Sequence, residues 1–180
     1  LYMKNITNAI IEMDNFEPPI LDGSSIGFID AINKVGVNEQ EKDILPIIIN
    51  QKIEYGVPSR DSYIIALPYD GFKITYITDY PNCSAIKDED FSVDLLFGEQ
   101  NNDTKIASAR TYCLSSELID LTKKSFLKGA SLDNGVVFVD DNISSIDKEY
   151  LINKFDLDEK SFSDKIINRT GLRFENEAAR

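Results

Sequence analysis

Histidine is absent from all 180 residues, tryptophan is absent too, and cysteine appears only twice. Without imidazole, these residues alone can build neither a Ser–His–Asp triad nor a histidine metal site. Cys83 and Cys113 lack metal-ligand spacing and suggest neither a disulfide scaffold nor a zinc knuckle; they suit a reducing cytoplasm. No apolar run reaches the roughly 18 residues that a transmembrane helix needs. The opening Leu1-Tyr2-Met3-Lys4 lacks the charged-then-apolar layout of a signal peptide, and position 1 need not be the biological start. Basic side chains are in deficit: 19 Lys and Arg against 31 Asp and Glu give a net charge of −12. That balance argues against a nucleic-acid partner and against direct attachment to an anionic membrane. The acids are scattered, as on a solvated surface.

What is present supports a core. Hydrophobic residues make up 42% of the chain, with 10 Phe and 8 Tyr, and the length fits one domain or two small ones. Residues 7–13 ("TNAIIEM") read as a short buried strand, followed by breakers at Pro18, Pro19 and Asp22-Gly23. From Ser24, the spacing of Phe28, Ile29, Ile32 and Val35 predicts a helix closed by Gly36. Asp22-Gly23 reads as a turn and Ser24 as the helix cap, an architectural role. The polar "VNEQEKD" (37–43) carries a linker. Strands are expected over 44–56, 61–69, 72–80, 91–97 and 105–111, with 61–69 and 72–80 forming a hairpin across Asp70-Gly71. Ser115 or Ser116 caps a helix through Leu118, Ile119, Thr122 and Phe126; "GVVFV" (135–139) is a buried strand; Ser144 and Asp147 open another helix. The terminal Asn176-Glu177-Ala178-Ala179-Arg180 looks like the start of one more helix. Strands and helices that do not strictly alternate indicate an α+β fold.

Four stretches look like more than fold-making sequence: "EPPILDGSSIGF" (17–28), "PYDGFKITYITDY" (68–80), "ARTYCLSSELIDL" (109–121) and "FLKGASLDNGVVFVDD" (126–141). With the terminal "RFENEAAR" (173–180) they resemble, in order, the zinc-dependent UDP-3-O-acyl-N-acetylglucosamine deacetylases of lipid A synthesis in Gram-negative bacteria. The length of 142–170, and "LKGASLDN", are similar to members fused to a 3-hydroxyacyl-carrier-protein dehydratase.

The resemblance implies a two-layer sheet-and-helix sandwich. Residues 1–38 would be the end of a first α+β domain and 39–43 a linker. Residues 44–180 would form a second α+β domain, with an acyl-chain insert over about 112–140. It also implies a Zn2+ cofactor whose ligands lie outside the chain: one histidine just before Leu1, another just after Arg180. The fragment alone would then be an inactive part of an amidohydrolase. Within the chain it implies one catalytic participant, Thr111, donating to the oxyanion formed at the N-acetyl carbonyl; the ordinary alternative for such a Thr is sheet pairing. Substrate-binding positions implied are Tyr80, an aromatic for the UDP pocket, and Tyr112, which stands where Phe is common. Along an acyl tunnel come Leu114, Leu118, Ala130, Ser131, Leu132, Gly135 and Val137, of which Leu118 and Val137 read without the resemblance as plain core. The partner implied is a UDP-linked acylated glucosamine. A non-catalytic acyl- or nucleotide-binding relative, and the deacetylase half of a bifunctional deacetylase/dehydratase, both stay open.

Overall fold

A computed structural model describes residues 1–86, 88–95 and 103–180. Three helices stand at or close to their expected positions. Helix α1 (Ile26–Val35) is closed by Gly36, whose N–H donates to the Ile32 carbonyl and whose φ of 81° turns the chain out of the helix. Helix α2 spans Ser115–Lys123 and helix α3 spans Ser145–Phe155. Ser144 caps α3 reciprocally: its Oγ accepts from the Asp147 N–H at 3.1 Å and donates to the Asp147 carboxylate at 2.7 Å. Helix α2 begins differently from the expected serine cap. Ser115 is its first helical residue, and the Asp140 carboxylate, arriving from a strand end, accepts from Ser115 Oγ (2.6 Å) and Ser116 N–H (2.8 Å). Glu117 reaches back to the Leu114 N–H at 2.9 Å.

Among the described residues the strands form three separate small sheets, so the fold is mixed α+β. Strand β1 (Ile53–Val57) pairs antiparallel with β2 (Ser62–Ala66), and β3 (Lys73–Thr78) with β4 (Glu89–Asp94). The hairpin expected between 61–69 and 72–80 therefore does not form. Pro58-Ser59-Arg60, with Asp61 left-handed behind it, turns β1 tightly into β2 and takes up that edge. Strand β3 instead finds a register with β4 that matches like with like: Ile74 opposite Val93, Tyr76 opposite Phe91, Thr75 opposite Ser92. Asp70-Gly71 connects the two sheets. The expected strand over 91–97 is observed as Glu89–Asp94, and its last two positions lie outside the described residues.

Two further expected strands are absent. Residues 7–13 form no regular element, and among the described residues no strand pairs with them; Ile10 is 93% exposed. An isolated strand leaves its N–H and C=O groups to water, so apolar sequence without a neighbour does not become one. Residues 105–111 hold a π-helical turn (Asp103–Ala107) and then a lone bridge between Arg110 and Ser24. The expected 44–56 strand is shortened to β1. Near the C-terminus, 175–179 make turns, with the Arg180 N–H donating to the Asn176 carbonyl at 3.2 Å.

The third sheet organises the described core. Strand β6 (Val136–Phe138) lies between β5 (Tyr112–Leu114), parallel, and β7 (Ile166–Ile167), antiparallel. Because side chains alternate along a strand, "VVFV" feeds two clusters. Val136 and Phe138 join Cys83, Ile86 and Ala178 on one face, with Tyr80, Tyr112 and Leu114 packed against them. Val137 and Val139 join Leu118, Ile119, Leu132, Leu151 and Ile167 on the other. Each large apolar side chain buried this way stabilises the fold by about 1.5–3 kcal/mol. Among the described residues no helix is long and apolar enough to cross a membrane.

Candidate functional site

Thr111 sits where four of the quoted motifs meet. Its N–H donates to the Gly23 carbonyl at 2.7 Å, and its own carbonyl accepts from the Val136 N–H at 3.0 Å. Gly23 can come this close only because it is glycine: its φ is 84°, and a Cβ there would run into the Asn134 carbonyl. "LDGSS" is thus pressed between "SLDN" and "ART". Asp22 Oδ1 accepts from Ser24 N–H (3.1 Å) and Ser24 Oγ (2.8 Å), while its other oxygen takes Arg173 Nη2 at 2.8 Å, tying the turn to the C-terminal motif. These bonds hold the Asp22 carboxyl below its ordinary range against the opposing effect of burial. The backbone of Thr111 is fixed on both sides while its side chain remains exposed. Asp22-Gly23 forms the expected turn and serves Thr111 directly, but the N-cap of helix α1 is Ser25, one residue after the expected Ser24, because the Ser24 side chain is spent on Asp22.

Arg110, the residue before Thr111, is 3% exposed, and all of its guanidinium N–H groups are used. Nε donates to Glu177 Oε1 (2.9 Å), Nη2 to Glu177 Oε2 (3.1 Å) and the Gly171 carbonyl (2.5 Å), and Nη1 to Asn168 Oδ1 (3.2 Å) and Thr170 Oγ1 (2.8 Å). Glu177 also accepts two backbone amides, from Arg110 at 3.0 Å and Arg173 at 2.6 Å. Burial pushes the Glu177 carboxyl upward, but the Arg110 guanidinium and the two amides outweigh it and keep it ionised below the usual glutamate range. Arg110 and Glu177 both lie inside quoted motifs, yet 67 residues separate them and no periodicity links them. Sequence reasoning missed the pair.

Beside Thr111, Tyr112 Oη and Tyr80 Oη share a hydrogen bond at 2.9 Å. The rings meet edge-on at 6.3 Å, and Tyr112 stands edge-on to Phe138 at 5.6 Å. Burial, reinforced by the Tyr80 hydroxyl, pushes the Tyr112 phenol well above the ordinary tyrosine value, so it stays protonated. A Phe at 112 would leave Tyr80 without this partner. The structure thus brings Tyr112 and Tyr80 together, and Thr111 adjoins them as the residue before Tyr112.

The implied acyl-contact residues do not gather around that group. Leu114 lies on the Tyr112 face of the sheet, half-buried. Leu118, Leu132 and Val137 are packed into the cluster on the opposite face, at 5%, 5% and 4% exposure. Ala130 and Ser131 are exposed and Gly135 is half-buried. Asn134 shapes that loop, taking the Ser131 N–H on its Oδ1 at 2.7 Å and donating to the Gly129 carbonyl at 3.0 Å. Among the described residues no group of three or more His, Cys, Asp or Glu is placed to hold a metal ion.

A family model described as UDP-3-O-acyl N-acetylglycosamine deacetylase matches residues 1–155. The bifunctional enzyme LpxC/FabZ of Chlorobaculum tepidum is 33% identical over 183 residues, covering 100% of this chain and 38% of that protein. A UDP-3-O-acyl-N-acetylglucosamine deacetylase of Thermodesulfovibrio yellowstonii is 39% identical over 76% of this chain and 45% of its own length. Another, of Chlamydia pneumoniae, is 37% identical over 81% of this chain and 50% of its own length. The chain spans half or less of each of these relatives.

Proposed function

The chain belongs to the UDP-3-O-acyl N-acetylglycosamine deacetylase family, and from that premise we propose that it is the substrate-facing part of a cytoplasmic deacetylase of lipid A synthesis. The reaction is hydrolysis of the N-acetyl group of a UDP-linked 3-O-acylated glucosamine. The observation that carries this reading is the placement of Thr111: an exposed hydroxyl on a backbone clamped by Gly23 and Val136, next to a paired Tyr80 and Tyr112.

Attack on an amide carbonyl moves charge onto its oxygen, and a donor held in place for that oxygen lowers the barrier without reorganising. Thr111 is assigned that donation. Its neighbour Tyr112, kept protonated, fixes the Tyr80 ring, whose accessible surface can stack on a nucleotide base. Leu114, Ala130, Ser131 and Gly135, which retain accessible surface, are assigned the acyl chain first. Leu118, Leu132 and Val137 support that wall from within the core. We retain the division into 1–38, 39–43 and 44–180, and the two-layer sandwich, as part of this proposal.

Among the described residues, the zinc that the family reading brings finds no ligand set. The sequence has no histidine, and the described residues offer no metal-binding cluster. None of these residues is assigned to a metal, and no step is routed through one.

A second reading, the deacetylase half of a bifunctional deacetylase/dehydratase, is favoured by one observation. The family match ends at residue 155, whereas the bifunctional relatives of Chlorobaculum tepidum and Porphyromonas gingivalis align over 100% of the chain. The test of the main reading is direct: the full-length polypeptide that carries this chain should release acetate from UDP-3-O-acyl-N-acetylglucosamine. Absence of release by correctly folded, metal-replete protein refutes it.

A further inference from the structure

Thr111 is exposed, and its hydrogen bonds among the described residues are made by its backbone. Where its side chain starts from is therefore set by that backbone. Two of the backbone constraints are the hydrogen bonds to Gly23 and from Val136; the third comes one residue earlier. There Glu177 Oε1 takes both the Arg110 N–H (3.0 Å) and the Arg110 Nε–H (2.9 Å), so one carboxylate oxygen grips the main chain and the side chain of the same residue.

From this grip we propose that Arg110 and Glu177 are positioning residues for Thr111. On this view the buried pair transmits the placement of the 173–180 segment to the hydroxyl that faces the reacting carbonyl. The proposal rests on the catalytic reading of Thr111 and deepens it.

Stability alone is a poor explanation for the pair. Its side chains are 0% and 1% exposed, and replacing such a buried ion pair with apolar residues of similar volume is often neutral or stabilising. Geometry is the better explanation. The planar guanidinium spends its donors on four separate partners: Glu177, Asn168, Thr170 and Gly171. A group held from so many directions cannot rotate without breaking several bonds, and the peptide leading into Thr111 inherits that fixity. The 173–180 segment is itself anchored. Asn176 Nδ2 donates to the Asp90 carbonyl (2.9 Å), the Ala179 N–H to Glu89 (3.2 Å), and the Arg180 guanidinium lies 4.3 Å from both the Phe91 and Phe174 ring centres. The path from strand β4 through the terminal segment to Thr111 is continuous.

The experiment is a double-mutant cycle on the full-length polypeptide, reading kcat and KM with UDP-3-O-acyl-N-acetylglucosamine. Glu177→Gln keeps the shape but cannot accept all four N–H groups. It should lower kcat by roughly 10- to 100-fold with KM changed only a few-fold, the signature of a misplaced donor. In a Thr111→Val background the same change should cost almost nothing further in kcat, because no hydroxyl remains to misplace. Arg110→Lys, which keeps the charge and loses the planar fork, should repeat this pattern, and it takes the place of Glu177→Gln if that variant is unfolded at the assay temperature. Losses that multiply in the double variant, or a Glu177→Gln enzyme with normal kcat, overturn the proposal while leaving Thr111 in its role. A Thr111→Val enzyme with normal kcat overturns the role of Thr111 itself, and the positioning proposal with it.

Discussion

Arg110→Met is the most informative perturbation of the fold. It roughly preserves the length of the side chain while deleting the guanidinium. In the native protein Glu177 accepts four N–H groups: Arg110 N–H, Arg110 Nε, Arg110 Nη2 and Arg173 N–H. The substitution leaves the two backbone amides and strands a carboxylate that is 2% exposed, with no other ion pair among the described residues. It also strips donors from Asn168, Thr170 and Gly171. Breaking a buried pair from one side costs about 3–5 kcal/mol, a large share of a typical domain's ~5–15 kcal/mol.

The dependence on pH should change sign. In the wild type the Glu177 carboxyl is held below its ordinary value of 4.5. The pair's contribution is therefore whole above pH 4.5 and drains away as pH falls through the lowered value. In the variant, burial without the guanidinium raises the carboxyl instead. Its contribution is then favourable below the ordinary value and lost as pH rises through the raised one. Urea unfolding at a series of pH values reads both effects, and adding Glu177→Gln to the variant should recover part of the loss by removing the stranded charge. A loss below about 1 kcal/mol, the worth of a surface ion pair, with an unchanged pH slope would refute this reasoning.

Two other outcomes are expected. Leu132→Ala opens a hole beside Leu118, Val137 and Leu151 and should cost about 2–5 kcal/mol in denaturant melts while leaving acyl-length preference unchanged; Ser131→Leu should do the reverse, penalising long acyl chains at intact stability, and the opposite pair of results would return Leu132 to the acyl wall. Burial first, and then the Glu117 and Asp140 carboxylates, push the Cys113 thiol up to about 11, so alkylation at pH 8 followed by mass spectrometry should find it on the order of 10²-fold slower than an ordinary thiol; a rate matching free cysteine would contradict that environment.

What the sequence made legible was local. The cap at Ser144 with Asp147, the glycine stop at Gly36 and the alternation in "GVVFV" each depend on neighbours a few residues away, and each is met. Pairing between distant segments was not legible. Asp70-Gly71 is a good turn signal, but whether it closes a hairpin depended on β4 offering β3 a better-matched edge. Ser115 has the chemistry of a cap, yet Asp140 from across the sheet supplies the acceptor. Residues 7–13 have the composition of a strand and, among the described residues, no strand to pair with. The site divides in the same way. Thr111, Tyr112 and the "LDGSS" turn were singled out through motifs, whereas the Arg110–Glu177 pair needed the fold. The acyl-contact set was read as one surface, but residues 112–114 and 136–138 are strands whose alternate side chains face opposite ways.

The central claim is that Thr111 stabilises the oxyanion. Steady-state kinetics of Thr111→Val and Thr111→Ser in the full-length polypeptide test it most directly. Removing an oxyanion donor typically costs ~10²–10³ in rate, so the valine variant should lose that much in kcat with KM within a few-fold, and the serine variant should retain most activity. A valine variant turning over within a few-fold of wild type would contradict the account and leave Thr111 as a strand-edge residue.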